Sequence, residues 1–357
     1  MTTANKDHFI GLDGLRGVAA LMIMMLHING RMPTPSHWLQ HCDLAVDLFF
    51  ILSGFVVARD YEVRLKNGMP FFSYLRIRLI RLYPLMALGI AAGLIAYICG
   101  APLKGATSVS VFAALLFIPA VWTTQSVFPL NNVQWSLFFE LLANVAHALS
   151  VKRLSNRLLC AVIAVFAVAL VVAARSYGGL GVGWTMTNFW GGFARVGFSF
   201  PLGVLLYRLW KSDKISKPIL PVILPLIAVG AVCISAGDYR LTWRWYVDLP
   251  IVMLAFPTIV WVAAGARPGP KMTALLSALG ALSYPVYALQ LPIIFVIEIA
   301  SRPLGLISWQ IVIAETLTCL ALSWIAYSRY DVPIRNFLLR RSRGPSMTNH
   351  TQQLPTG

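Results

Sequence analysis

Charged residues are scarce in this chain. Of its 357 residues only 12% are charged, and Asp and Glu together number 13, whereas a soluble globular protein is about 25% charged. Hydrophobic residues make up 58% of the chain, and the mean hydropathy is +0.72. Lipid must solvate such a surface, which excludes a soluble enzyme, a disordered protein and a secreted disulfide scaffold.

Paired cysteine motifs are also missing. The five cysteines lie far apart and show no CxxC or Cys/His ligand spacing, so we interpret them as small core residues and predict no metal site. The first apolar stretch contains Arg16 and has no small-residue cleavage site after it. It is therefore predicted to be a retained span and not a signal peptide.

Long apolar runs are abundant. Ten of them have the length of a transmembrane helix: 12–30, 42–58, 83–100, 133–150, 158–175, 189–207, 218–236, 247–265, 274–299 and 308–328. A further run, 110–122, is short enough to be a re-entrant or interfacial segment. The sequence thus predicts an all-α, polytopic membrane protein of about ten transmembrane helices. Residues 1–339 would form the membrane domain, and 340–357 a polar, disordered cytoplasmic tail.

The positions of the basic residues predict the orientation. If the N-terminus is cytoplasmic, 22 of the 29 Lys and Arg residues fall on the cytoplasmic side, six on the other side, and Arg195 within a span. This distribution follows the positive-inside rule. It predicts that both termini are cytoplasmic and that 110–122 does not cross. The net charge of +16 then needs no nucleic acid partner.

Ionisable residues inside spans are costly and usually mark function. The first span holds Arg16 and His27, which are eleven residues apart; about three helical turns place them on one face, with His27 roughly 16 Å further along. Polar residues from other spans reach a similar predicted depth: Asp47, Glu140, Arg195 and Gln290. A purely structural alternative stays open, in which His27 donates to a carbonyl and charges such as Glu140 and Arg195 pair.

A group of arginines precedes Pro84 in FFSYLRIRLIRLYP, residues 71–84. Arg78 and Arg81 share one helical face, Arg76 lies close by, and Pro84 is predicted to kink the helix. Guanidinium groups bind phosphates bidentately, so this group is a candidate phosphate site. Equally, the arginines could be topological anchors only.

Five segments together resemble the acyltransferase-3 family of integral membrane O-acyltransferases, and they occur in the family's order: FIGLDGLRGVAALMIMMLH (9–27), DLFFILSGFVVAR (47–59), FSYLRIRLIRLYP (72–84), WSLFFEL (135–141) and SYPVYALQLPI (283–293). The resemblance implies transfer of an acyl group, commonly acetyl, from cytoplasmic acyl-CoA to a hydroxyl of a glycan or another envelope molecule. Acyl-CoA would be a co-substrate, with no permanently bound cofactor. A bacterial inner membrane is implied as the location.

The resemblance also implies roles for particular residues. His27 matches the family's essential histidine and Arg16 its partner, and Glu140 matches the acid of the Trp-Ser-Leu-x-x-Glu segment. Arg78 and Arg81 match the arginine pair that would meet CoA, and Arg76, which lies next to them, is predicted to join that site. Asp47, Arg195, Gln290 and Trp135 are predicted to contact the acceptor. Family members often carry His where this chain has Gln290, so a second catalytic histidine is in doubt here.

The residues suit that chemistry independently. A neutral imidazole can accept the proton of an attacking hydroxyl, and a nearby carboxylate can orient it. No Gly-x-Ser-x-Gly elbow is present, which argues against an acyl-serine enzyme. Whether His27 acts as a base or briefly carries the acyl group stays open. The rival hypothesis is a proton-coupled transporter that uses the same buried residues, although no repeated halves are evident.

Overall fold

The computed structural model describes residues 8–212, 220–234, 244–301 and 308–342. Throughout these ranges the regular secondary structure is helical, and one isolated β-bridge joins Ser126 to Thr185. The all-α, polytopic prediction is confirmed.

The helices follow one another in chain order as α1 (Ile10–Asn29), α2 (Ala45–Val57), α3 (Val63–Lys66), α4 (Phe71–Ile98), α5 (Ser108–Leu115), α6 (Gln134–Ser150), α7 (Asn156–Tyr177), α8 (Phe189–Lys211), α9 (Ile223–Cys233), α10 (Trp245–Pro250), α11 (Phe256–Ala264), α12 (Pro270–Ser301), α13 (Ser308–Ile325) and α14 (Val332–Ser342). A 3₁₀ segment, His37–Leu44, leads into α2. Short π-helical turns continue α2 into α3, α10 into α11 and α13 into α14.

Eight helical stretches within the described ranges are long and apolar enough to cross a membrane. The two remaining predicted spans correspond to α6, with 17 residues, and α9, with 11. At about 1.5 Å per residue, α9 covers only about 17 Å of a hydrocarbon core about 30 Å thick. Pro221 lies just before α9, and the ends of the predicted span, 218–219 and 235–236, fall outside the described residues. The count of ten crossings therefore stays a prediction.

Three predicted boundaries change in the structure. The span predicted at 83–100 begins at Phe71, because the arginine segment and Pro84 lie within the continuous helix α4. The run 110–122 overlaps the eight-residue α5, Ser108–Leu115, which is too short to cross by itself. Residues 340–342, predicted to begin the tail, belong to α14; residues 343–357 lie outside the described ranges.

Two close helix pairs position the polar residues. Helix α1 packs along α12, where Gly280 faces the Cα and side chain of Asp13. Helix α2 packs along α8, where Gly54 faces the backbone of Phe200. A side chain at either glycine would collide with the partner helix, which is the usual reason for small residues where membrane helices cross closely. We call the end of the bundle at which α1 begins the lower end and the other the upper end.

Candidate active site

His27 lies near the upper end of α1, opposite Gln290 of α12. The closely packed helix pair brings the His27 Nδ1 within 3.2 Å of the Gln290 Oε1. Gln290 is fully buried, and its Nε2 donates to the backbone carbonyl of Tyr287 at 3.2 Å. His27 is half-buried and faces a cavity.

This contact fixes the protonation of the imidazole. An amide oxygen can only accept a hydrogen bond, so the Nδ1 of neutral His27 carries the proton and its Nε2 keeps a lone pair. The Nε2 forms no hydrogen bond with any described residue. The sequence predicted that a carboxylate such as Glu140 would orient His27; in the structure the amide of Gln290 does so. Gln290 is thus a positioning residue and does not line the cavity.

The upper cavity, of about 570 Å³, opens beside His27. Its wall combines aromatic, amide and charged side chains with the glycine-rich loop after α7: Gln40, Asp43, Asn132, Trp135, Tyr177, Gly178, Gly179, Gly181, Trp184, Asn188, Arg195, Arg244 and Tyr287. Trp135, which the sequence predicted to contact the acceptor, lies in this wall. The loop 178–184 comes from the region between α7 and α8.

Asp47 and Arg195 form a closed ion pair at the edge of this cavity. Arg195 is 1% exposed and donates from Nη2 to the Asp47 Oδ2 at 2.7 Å, and from Nε to the same oxygen at 3.1 Å. It also donates to the carbonyls of Val182 and Asp43, both at 3.0 Å. Its guanidinium carbon lies 5.2 Å from the ring centroid of Trp135. Since these partners occupy Asp47 and most of the guanidinium, the pair braces the cavity wall and is poorly placed to bind a substrate directly.

Glu140 belongs to a different group of residues from His27. Its Oε1 accepts from the Ser53 Oγ at 2.6 Å and from the Arg78 Nη2 at 3.0 Å. The structural alternative paired Glu140 with Arg195, but Glu140 pairs with Arg78 and Arg195 pairs with Asp47. Arg78 is 2% exposed, and its Nε and Nη1 have no hydrogen-bond partner among the described residues. Buried guanidinium nitrogens without hydrogen-bond partners are costly.

Arg78 and Glu140 face a narrow central cavity of about 80 Å³. Arg16 and Arg81 line it too, so three guanidinium groups surround one carboxylate. Arg16 lies 3.9 Å from Asp13, and Arg81 forms no ion pair with a described residue. The lining of this cavity therefore carries more positive than negative charge. Arg76, predicted to join it, is exposed and lines none of the cavities described here, because it lies on the other face of α4.

Three cavities lie in series through the bundle. A lower cavity of about 510 Å³ shares Arg16, Arg81 and Tyr284 with the central one. The central cavity shares Val46 and Tyr287 with the upper one. This series leads from the arginines to His27.

A family model described as an acyltransferase domain matches residues 9–328, a range that includes all the predicted site residues. The chain belongs to the acyltransferase-3 family. A curated relative, "Protein 2 in picA locus" of Rhizobium radiobacter, is 38% identical over 198 residues, which are 50% of this chain and 100% of the relative. No solved structure gives a significant match. Membership indicates a multi-pass membrane acyltransferase.

Sequence reasoning missed several residues of this acyltransferase. The hydroxyl groups of Tyr287 and Ser136 lie 2.6 Å apart between the central and upper cavities; both residues lie inside the recognised motifs, which was the available signal. Arg244 donates to Asp43 at 2.5 Å and to Asp248 at 3.2 Å. No motif marked that group, because its members come together only through long-range packing.

Proposed function

We propose that this acyltransferase moves an acyl group, most simply acetyl, from cytoplasmic acyl-CoA to a hydroxyl of a glycan or lipid-linked sugar across a bacterial inner membrane. The single observation that carries the proposal is the series of cavities, with uncompensated arginines below and an imidazole with a free Nε2 above. The basic residues support the orientation, since 22 of 29 would lie on the cytoplasmic side.

The position of the donor is inferred from the positive charge of the central cavity. CoA is a polyanion, and Arg16, Arg78 and Arg81 offer guanidinium groups that one carboxylate cannot neutralise. The central cavity is too narrow for a nucleotide but suits an extended chain such as the pantetheine arm. That arm would place the thioester near His27, roughly 16 Å along α1 from Arg16.

The reaction follows from the His27 tautomer. The acceptor hydroxyl attacks the thioester carbonyl carbon while the His27 Nε2 takes the hydroxyl proton. The tetrahedral intermediate collapses, the carbon–sulfur bond breaks, and the thiolate of CoA receives the proton from His27. The products are an O-acyl ester and CoA. Gln290 holds the ring so that Nε2 faces the acceptor.

The upper cavity fits a sugar. Trp135, Trp184 and Tyr177 offer flat apolar faces with polar edges, and the neighbouring amides and charged groups offer hydrogen bonds to hydroxyls.

The transporter hypothesis fits the geometry less well. A proton relay needs a connected chain of polar groups, yet Asp47 and Glu140 belong to separate groups of residues and each is hydrogen-bonded to its own arginine.

The test uses membrane vesicles that contain the protein and acetyl-CoA labelled in the acetyl group. We expect label to enter a glycan or lipid-linked sugar fraction with wild type and not with His27→Ala. Labelled acceptor at equal levels with both proteins would overturn the role of His27. Absence of labelled product with wild type and every short-chain acyl-CoA would overturn the donor class.

A further inference from the structure

The outer wall of the lower cavity is built by the C-terminal segment of the chain. Tyr327, Asp331, Arg335 and Leu339 all line the cavity. They recur every fourth residue from the π-helical turn into α14, so they share one helical face. Most of this face lies beyond residue 328, where the family match ends.

Asp331 has an unused acceptor in this wall. It is 1% exposed, and its Oδ2 lies 3.3 Å from the Arg335 Nε. Its Oδ1 has no hydrogen-bond partner among the described residues. A buried carboxylate oxygen without a donor is costly. Donors on a bound molecule would remove that cost.

Arg335 supplies the opposite chemistry. Arg335 lines the cavity, and its side chain is 29% exposed. Its two Nη groups make no hydrogen bond with a described residue, so they are available for a bidentate contact with a phosphate. Arg81 lies deeper, where the lower and central cavities meet.

We propose that this face recognises the 3′-phosphoadenosine half of CoA, with Arg335 on the 3′-phosphate and Asp331 Oδ1 on a hydroxyl or amino donor of the nucleoside. The inference rests on the proposed acyl-CoA donor. It adds which part of CoA binds at the outer wall of the lower cavity and which part binds at the junction with the central cavity. Arg81, nearer the central cavity, holds the diphosphate from which the pantetheine arm continues upward. Tyr327 offers a ring beside the adenine.

A purely structural role predicts a different result. If Arg335 only stabilises α14 through the i, i+4 pair with Asp331, its removal should affect all ligands alike. Comparing CoA with 3′-dephospho-CoA separates the two roles, because the ligands differ only in the phosphate assigned to Arg335.

The experiment titrates both ligands into purified full-length wild type, Arg335→Ala, Arg335→Lys and Arg340→Ala. Arg340 is the matched control, since it is exposed on the same helix and does not line the cavity. Wild type should bind CoA roughly tenfold or more tightly than 3′-dephospho-CoA, as expected for a charge-assisted contact. Arg335→Ala should abolish that preference and leave the affinity for 3′-dephospho-CoA within about twofold, which also reports an intact fold. Arg335→Lys should restore part of the preference, and Arg340→Ala should match wild type.

Equal losses for both ligands in Arg335→Ala, or an unchanged preference for CoA, would overturn the inference. A wild-type protein that binds neither ligand would instead overturn the proposed donor, so the two failures are distinguishable.

Discussion

The upper and central cavities handle charge in opposite ways. Beside the upper cavity, Asp47 and Arg195 neutralise each other almost completely, and Asp43 pairs with Arg244. The His27 Nε2 has no hydrogen-bond partner among the described residues. In the central cavity three arginines face one glutamate, and Arg78 keeps two nitrogens without partners.

We interpret this difference as a separation of proton transfer, beside the upper cavity, from binding of the anionic donor in the central cavity. A neutralised pocket with one free lone pair suits proton transfer to and from an uncharged hydroxyl. An excess of buried guanidinium groups suits an anionic ligand. We therefore expect substitutions beside the upper cavity to affect turnover, and substitutions of the arginines of the central cavity to affect donor affinity.

The largest effect is expected at His27. His27→Ala removes the general base, whose contribution is about 10²–10⁴-fold, so kcat should fall at least that far. The measurement is acyl transfer by purified protein, with CoA binding as the control for folding. Near-normal turnover would remove His27 from the mechanism.

Breaking the Asp47–Arg195 pair should mainly affect stability. Asp47→Asn leaves a buried guanidinium without its counter-charge, a change that costs about 3–5 kcal/mol when a buried pair is broken. We expect a clearly lower melting temperature in detergent. The control is the partly buried pair of Arg59 with Asp60, whose side chains are 20% and 25% exposed. Because water reaches this pair, Asp60→Asn should lower the melting temperature less than Asp47→Asn does. A stable Asp47→Asn protein that has lost only acceptor affinity would restore the direct substrate role predicted from the sequence.

Arg81→Ala should weaken donor binding. A charge-assisted contact contributes about 1.5–3 kcal/mol, so the apparent KM for acyl-CoA should rise roughly tenfold or more while kcat changes little, provided KM reports binding. Steady-state kinetics over a range of acyl-CoA concentrations measure this. An unchanged KM would favour the topological interpretation of the arginines.

Gln290→Leu should reduce turnover modestly. The hydrogen bond that holds the His27 tautomer is worth about 0.5–1.5 kcal/mol net, so kcat should fall about 2- to 10-fold with unchanged CoA affinity. Gln290→His tests the alternative residue found in many family members. If Gln290→Leu retains full kcat, the amide does not position the ring.

Arg76→Ala should have the smallest effect. Arg76 is exposed on α4 and lies outside the cavities described here, so the KM for acyl-CoA should stay within about twofold of wild type. The comparison with Arg81→Ala holds the helix and the residue type constant. A rise in KM equal to that of Arg81→Ala would mean that the arginines attract acyl-CoA through their summed positive charge and not through specific contacts.

The sequence predicted the features that depend on helical periodicity or on residues close together in the chain. The spacing of Arg78 and Arg81 placed them on one helical face. Arg76 was added as their neighbour in sequence, and it lies outside the cavities because it is on another face of α4. The partners of Glu140 and Arg195 could not be predicted, because pairing between helices depends on crossings set by residues such as Gly54 and Gly280. The same limit hid Asp331, whose environment exists only after α14 packs onto the bundle.

The central claim is that donor binding and chemistry reside in separate parts of the bundle. The most direct test titrates CoA into purified wild type, His27→Ala and Arg81→Ala and measures acetyl transfer by the same preparations. The account predicts that His27→Ala binds CoA like wild type but loses at least about 10²-fold in turnover, whereas Arg81→Ala binds roughly tenfold or more weakly and regains near-normal turnover at saturating donor. Equal CoA affinity in all three proteins, or loss of CoA binding in His27→Ala, would contradict it.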